Sequence, residues 1–236
     1  MLAGILEGFP VKKLVLANCG IGNPTLVQIV EVLSNHKTLT SIDLSDNPFN
    51  HIGLKILTNT LKSGWSINTL YLNNHQGGIM IKQVAKIAQY VENIYLCDNR
   101  YSPVHAIVLT DTIGKWSRLK RLDLSQNGLM DEGIEYLSKF LKKNETLIKL
   151  SVAENLIGNR GIKTLARVLR CHNRTLAVLN LAGNLIKGYG LSKLGDMLKI
   201  NPILQSLDVR RNPGLTEGKK ELFYACLDKR KIKIKI

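Results

Sequence analysis

The most constraining feature of this chain is a spacing that returns. Leu119, Leu122, Leu124, Asn127, Leu129, Gly133, Leu137 and Leu141 fall at offsets 0, 3, 5, 8, 10, 14, 18 and 22. The same offsets hold Leu147, Leu150, Val152, Asn155, Ile157, Gly161, Leu165 and Leu169, and then Leu176, Leu179, Leu181, Asn184, Ile186, Gly190, Leu194 and Leu198. Laid over the whole sequence, the template starts at Val11, Leu39, Ile67, Val91, Leu119, Leu147, Leu176 and Leu204, at intervals of 28, 28, 24, 28, 28, 29 and 28 residues. A unit this short cannot bury its own apolar face, so successive units must stack and share one continuous core. Residues 1–236 therefore read as a single domain of about eight repeats, with 231–236 a candidate capping strand.

Each offset has a physical reason. The L-x-x-L-x-L half alternates inward and outward as a short strand does. The second half, as in GIEYLSKFL, repeats its apolar residues every three to four positions and reads as an amphipathic helix. The offset-8 Asn carries both a donor and an acceptor, suited to the backbone groups of the strand-to-helix bend. A side chain in place of the offset-14 Gly would crowd the neighbouring repeat. This pattern resembles the leucine-rich repeat family, in its long ribonuclease-inhibitor-like form with a helix in every repeat. The expected fold is an α/β solenoid, a curved horseshoe arc. Parallel strands stack about 4.8 Å apart and packed helices need about 8–10 Å, which puts strands on the concave side and helices on the convex side.

Three stretches depart from the template. Residues 1–10 look like the end of a helix, with Met1 and Ile5 at the offsets of a preceding repeat. Repeat three (67–90) has 24 residues, with His75 in place of Asn, which predicts a local kink near 73–80. Repeat four puts Tyr101, Pro103 and His105 where its neighbours have an aliphatic, a free residue and Gly. Irregular repeats mark a binding site or record drift in a tolerant array. The end, KRKIKIKI, alternates Lys and Ile with period two where a ninth strand is due; its lysines would discourage edge-to-edge pairing. A basic import or lipid-binding signal is the other reading of that tail.

No apolar run approaches the ~18 residues of a membrane span, and the first residues lack the basic start of a secretory signal. We expect a cytoplasmic protein, with nuclear, centrosomal or, for a bacterial effector, host-cytosolic residence as variants. The four cysteines share no repeat column and no C-x-x-C spacing, and the five histidines are scattered, so no disulfide framework, metal site or cofactor is expected. Cys19 takes the Asn position of repeat one, a small slot expected to be buried. The sequons at Asn144 and Asn173 fall at equivalent helix-to-strand turns, where Asn and Thr serve the turn itself.

No catalytic constellation is present: no phosphate loop after a strand, no G-x-S-x-G and no H-E-x-x-H. We expect no enzyme. The resemblance extends to the Ran GTPase-activating protein, whose site is associated with an Arg near the helix start of an early repeat. Val27 and Lys55 occupy the equivalent positions here, and Arg100 lies on a turn. A GTPase-regulating role thus rests on family analogy alone.

The informative surface is the strand face. Outward positions at offsets 4, 6 and 7 carry five acids and no base among 21 positions of repeats one to seven, where about three bases would be expected by chance. Asp43, Asp46, Tyr71, Asn74, Tyr95, Asp98, Asp123 and Glu154 are the candidate partner-binding residues. Exposed Tyr is enriched in binding hot spots, and an acidic rim would steer a partner with a basic segment. The expectation is a monomeric, non-catalytic protein-interaction scaffold with no small-molecule substrate. The resemblance also implies kinship with repeat modules of innate-immune receptors, centrosomal and actin-regulatory proteins and bacterial effectors. A net charge of +15 disfavours inhibition of strongly basic nucleases. The alternative is nucleic acid or anionic membrane bound weakly by the convex face, through Lys139, Lys142, Lys143, Lys163, Arg167, Arg170, Lys193 and Lys199.

Overall fold

The computed structural model describes residues 10–75, 81–112, 118–216, 218, 221 and 232–236. The proposed opening helix end at Met1 and Ile5, and Cys226, lie outside the described residues. Nine three-residue strands form one parallel sheet whose order follows the chain. They are β1 (Lys13–Val15), β2 (Ser41–Asp43), β3 (Thr69–Tyr71), β4 (Asn93–Tyr95), β5 (Arg121–Asp123), β6 (Lys149–Ser151), β7 (Val178–Asn180), β8 (Ser206–Asp208) and β9 (Lys233–Lys235). The described helices between them are α1 (Asn23–Ser34), α2 (His51–Lys62), α3 (Ile81–Ile87), α4 (Pro103–Thr112), α5 (Met130–Leu141), α6 (Asn159–Cys171) and α7 (Gly188–Ile200).

The offset-3 residues stack as one row through the sheet. Leu14, Ile42, Leu70, Ile94, Leu122, Leu150, Leu179 and Leu207 pair in turn, and Ile234 of β9 continues the row. Beneath it the inner helix residues, among them Leu54, Leu57, Leu137, Leu165 and Leu194, are buried. One core thus runs the length of the stack. Repeat three keeps this register although it is four residues short: Tyr71 pairs with Tyr95 and Leu70 with Ile94. The deficit falls between His75 and β4, a stretch in which the described helix α3 spans seven residues. No break marks the sheet at the anticipated kink; residues 76–80 lie outside the described residues.

The offset-8 Asn residues weld each repeat to the one before. Asn47 Oδ1 accepts from the backbone N–H of Cys19 at 3.1 Å and of Ile21 at 2.9 Å, while its Nδ2 donates to Leu16 O at 2.8 Å. Asn127 repeats this with Asn99, Tyr101 and Leu96. So does Asn184 with Asn155, Ile157 and Val152. His75 interrupts the ladder. It is buried against Phe49, ring centroids 4.5 Å apart, and neither ring nitrogen has a hydrogen-bond partner. The offset-14 glycine is required by packing: a Cβ on Gly161 would lie 2.2 Å from Ile134 Cγ2 and 2.8 Å from Asp131 Oδ1.

One expectation needs correcting, and two further points are answered. Cys19 is exposed rather than buried, its thiol turned to Ala17 O at 3.4 Å; a Cys makes none of the paired amide contacts that draw Asn inward. Of the departures in repeat four, Tyr101 is core packing, while Pro103 and His105 are half-buried. Tyr101 is only 2% exposed, and His105 Nδ1 accepts from the Ser102 N–H at 3.0 Å just before α4. Asn173 is buried and gives its Nδ2 to Leu141 O at 2.9 Å, while Asn144 Oδ1 accepts from the backbone of Thr146 and Leu147. Both sequon asparagines are therefore turn residues.

Candidate functional site on the strand face

Strand alternation turns the first and third residues of each three-residue strand away from the core. The register then lines up Asp43, Tyr71, Tyr95 and Asp123 as direct neighbours on β2 to β5. The rings of Tyr71 and Tyr95 stack, centroids 4.3 Å apart and planes 11° from parallel. Burial, the adjacent Tyr95 and Asp43 push the Tyr71 hydroxyl above its ordinary pKa, and Arg121 opposes them. The Tyr71 phenol therefore stays neutral at physiological pH.

Two residues that sequence reasoning overlooked complete this centre. Lys13 Nζ stands 5.4 Å from the Tyr71 ring centroid, and the Arg121 guanidinium 5.8 Å from that of Tyr95. Both are within the reach of a cation–π contact, about 6 Å. Arg121 also donates from Nη1 to the Tyr95 hydroxyl. The result is a cation–ring–ring–cation cluster across the strands. Lys13 and Arg121 sit at offset 2, the other outward position of the strand. The period-two rule that selected offset 4 would have found them.

That column also corrects the acidic trough. Lys13, Arg121 and Lys149 share the strand face with the five acids, so its centre is of mixed charge. Asp43 and Asp123 are partly committed: each accepts from the N–H two residues on, Ser45 at 3.0 Å and Ser125 at 2.9 Å. They are turn-forming carboxylates, as the recurrence of Asp in that column suggests. At offset 6 the small residues Ser45, Ala153 and Ala182 are buried rather than outward, because the bend closes over them.

The offset-7 residues form a second row along the rim. Asp46, Asn74, Asp98, Gln126 and Glu154 all have left-handed backbone, φ 51–57°. Asn74 Nδ2 donates to Asp46. Gln126 Nε2 donates to Glu154 at 3.2 Å, and Arg211 forms an ion pair with Glu154 at 2.7 Å. Cys97 Sγ, at offset 6, donates to Gln126 Oε1 at 3.0 Å, and burial, helped by nearby carboxylates, raises the Cys97 pKa to about 11. Asp46 and Asp98 remain exposed. The structure thus gathers all eight candidates onto two adjoining rows, with the tyrosine pair central and Glu154 neutralised at one end. Among the described residues no cluster of His, Cys, Asp and Glu could hold a metal ion, and no helix is long and apolar enough to cross a membrane.

Repeated strand-and-helix units in one parallel sheet, joined by an asparagine ladder, define a leucine-rich repeat solenoid. The chain is a leucine-rich repeat protein of the ribonuclease-inhibitor-like type, and a leucine-rich repeat family model matches residues 35–56, 118–138, 143–166 and 172–195. It is 24% identical over 207 residues to the ribonuclease inhibitor of Mus musculus, covering 85% of this chain and 45% of that protein. It is 26% identical over 170 residues to NACHT, LRR and PYD domains-containing protein 3 of Homo sapiens, covering 69% of this chain and 16% of that one. The chain therefore spans less than half the length of these curated relatives. Among solved structures, the actin-binding site 2 of leiomodin-1 superposes with a TM-score of 0.52 at 18% identity, covering 63% of this chain and 86% of that one; the likeness is one of fold.

Proposed function

We propose that the strand face is a non-catalytic docking surface for a partner protein, anchored on the Tyr71–Tyr95 pair. Leucine-rich repeat domains in general mediate protein–protein interaction. The observation that carries the finer reading is the stacked pair itself. Two aromatic rings on neighbouring strands, held by Lys13 and Arg121 at their flanks, make a rigid amphipathic platform. Ordering it on binding loses little side-chain entropy. The partner segment lays an apolar or aromatic side chain on this platform, and its hydrogen-bonding groups meet the phenol hydroxyls. Basic residues in the segment pair with the exposed Asp46 and Asp98 on the rim. The names of two relatives, an inhibitor of a ribonuclease and an actin-binding site, are those of proteins that act by binding other proteins. We place the interaction in the cytoplasm, a setting consistent with the free thiols of Cys19, Cys97 and Cys171.

The test is affinity capture from cytosol with the full chain, followed by titration of the captured partner. Tyr71→Ala and Tyr95→Ala should each weaken binding at least about tenfold, the scale of a truncated hot-spot aromatic. Asp46→Asn and Asp98→Asn should weaken it less, and chiefly at low salt. Retention of full affinity by both tyrosine variants would refute the assignment.

A further inference from the structure

The helix layer carries a second surface, independent of the strand face. Between α6 and α7 it opens into a groove of about 450 Å³. Lys163, Arg167 and Arg170 line it from one exposed face of α6, at i, i+4 and i+7, and Tyr189 and Lys193 line it from α7. Tyr189 is 52% exposed, with Lys193 Nζ 5.4 Å from its ring centroid. One carboxylate, Asp196, lines the groove from α7, Glu135 and Asp131 stand on α5 beside Arg160, and each is engaged. Glu135 lies 3.1 Å and Asp131 4.0 Å from Arg160, while Asp196 lies 3.5 Å from Lys193 and 3.9 Å from Lys199. Among the described residues no ion pair engages Lys163, Arg167 or Arg170.

We propose that this groove binds an acidic segment of a partner protein. Three uncompensated cations side by side repel one another, and an anionic occupant relieves that repulsion. Lys163 and Arg167 are about 6 Å apart along the helix axis. Alternate residues of an extended chain lie about 6.8 Å apart, so carboxylates at every second position face successive cations. An apolar or aromatic residue of the segment lies against Tyr189.

These carboxylates decide between classes of partner. A nucleic acid backbone running across the helices would meet Glu135 and Asp131 on one side and Asp196 on the other. A flat anionic membrane would touch an outward-curved helix layer over few residues at once. A short segment running along the exposed face of α6 meets Lys163, Arg167 and Arg170 and avoids Glu135 and Asp131, leaving Asp196 with Lys193.

The test is fluorescence anisotropy with the full chain at physiological salt. The probes are a poly-glutamate peptide, a poly-glutamine peptide and a single-stranded DNA oligonucleotide of equal charge to the first. The paired substitution Lys163→Glu/Arg167→Glu removes the groove charge. Lys142→Glu/Lys143→Glu makes the same charge change just beyond α5, outside the groove. Both pairs are exposed, so thermal melting should match the parent, and Lys163→Gln/Arg167→Gln repeats the comparison if it does not. Poly-glutamate should bind and lose at least about tenfold in affinity with the groove pair, against less than about threefold with the control pair. Poly-glutamine should not bind. Equal losses with both pairs, no binding of poly-glutamate, or tighter binding of the oligonucleotide than of the peptide would each overturn the proposal.

Discussion

The guanidinium of Arg121 donates to the Tyr95 hydroxyl while standing 5.8 Å from the centroid of that ring. It is thereby both a cap on the aromatic pair and a brace that fixes Tyr95 against Tyr71. The tyrosine platform is held together before any partner arrives, and that makes its internal energetics measurable on the free protein.

Tyr71→Ala and Tyr95→Ala should be non-additive. Stacked rings contribute about 0.5–1.5 kcal/mol beyond the area they bury, so a double-mutant cycle followed by urea denaturation should return a coupling of that size. Strict additivity would mean that the rings are neighbours without interacting.

His75 should make the chain acid-sensitive. Burial lowers its pKa, and the nearby Leu44 and Asn47 carbonyls and Asp46 oppose this only in part. The unfolded chain then takes up the proton first. Stability contributed by neutral His75 is complete above about pH 6.5 and falls as pH drops through the window below it, by up to about 1.4 kcal/mol per pH unit. His75→Asn removes the titrating group, so the melting temperature of that variant should fall less than the parent's between neutral pH and about pH 5. Parallel curves would show that His75 is not the source.

Gly161→Ala tests the packing of successive helices. The added methyl meets Ile134 at 2.2 Å and Asp131 at 2.8 Å, and relieving such an overlap costs about 1–3 kcal/mol. The melting temperature should drop while far-UV circular dichroism at low temperature is unchanged. An unaltered melting temperature would mean that α6 moves away freely from α5.

The thiols should differ in reactivity. Cys19 and Cys171 are exposed, whereas burial raises the Cys97 pKa to about 11. Only thiolate alkylates, so with iodoacetamide at about pH 8 the first two should label well before Cys97, as peptide mass mapping would show. Cys97 labelling at the same rate would contradict its half-buried setting.

Much of the fold was legible because apolar burial dictates spacing. Leu119, Leu122 and Leu124 can repeat at that interval only if each unit presents the same face to the next, and the ladder of Asn127, Asn155 and Asn184 follows from the same requirement. The short third repeat kept its register for a related reason. Leu70 must meet Ile42 and Ile94 in the sheet, whereas the return from His75 to β4 can be shortened without disturbing that row. The surface was less legible, since no burial constraint fixes which outward position matters. Tyr71 and Tyr95 stood out by breaking the Asp habit of their column. Lys13, Arg121 and Lys149, one alternation away, looked like ordinary scattered cations and falsified the acidic trough. Cys19 was misjudged because one residue identity in a template slot does not reveal whether its neighbours hold it there or displace it.

The asparagine ladder gives the array a direction. Asn47 satisfies the loop N–H groups of the repeat before it, Asn127 does the same for Asn99 and Tyr101, and Asn184 for Asn155 and Ile157. On the helix side the dependence runs the other way: Asn23, Asp131 and Asn159 accept from the backbone N–H of Gly53, Gly158 and Gly190 in the unit that follows. Removing a unit from the C-terminal side therefore strips acceptors from buried loop amides such as those of Ile21, Tyr101 and Ile157, while removal from the N-terminal side strips them from amides at the start of the next helix. Unravelling from the two ends is inequivalent: one end opens the strand-to-helix loops and the other the helix starts.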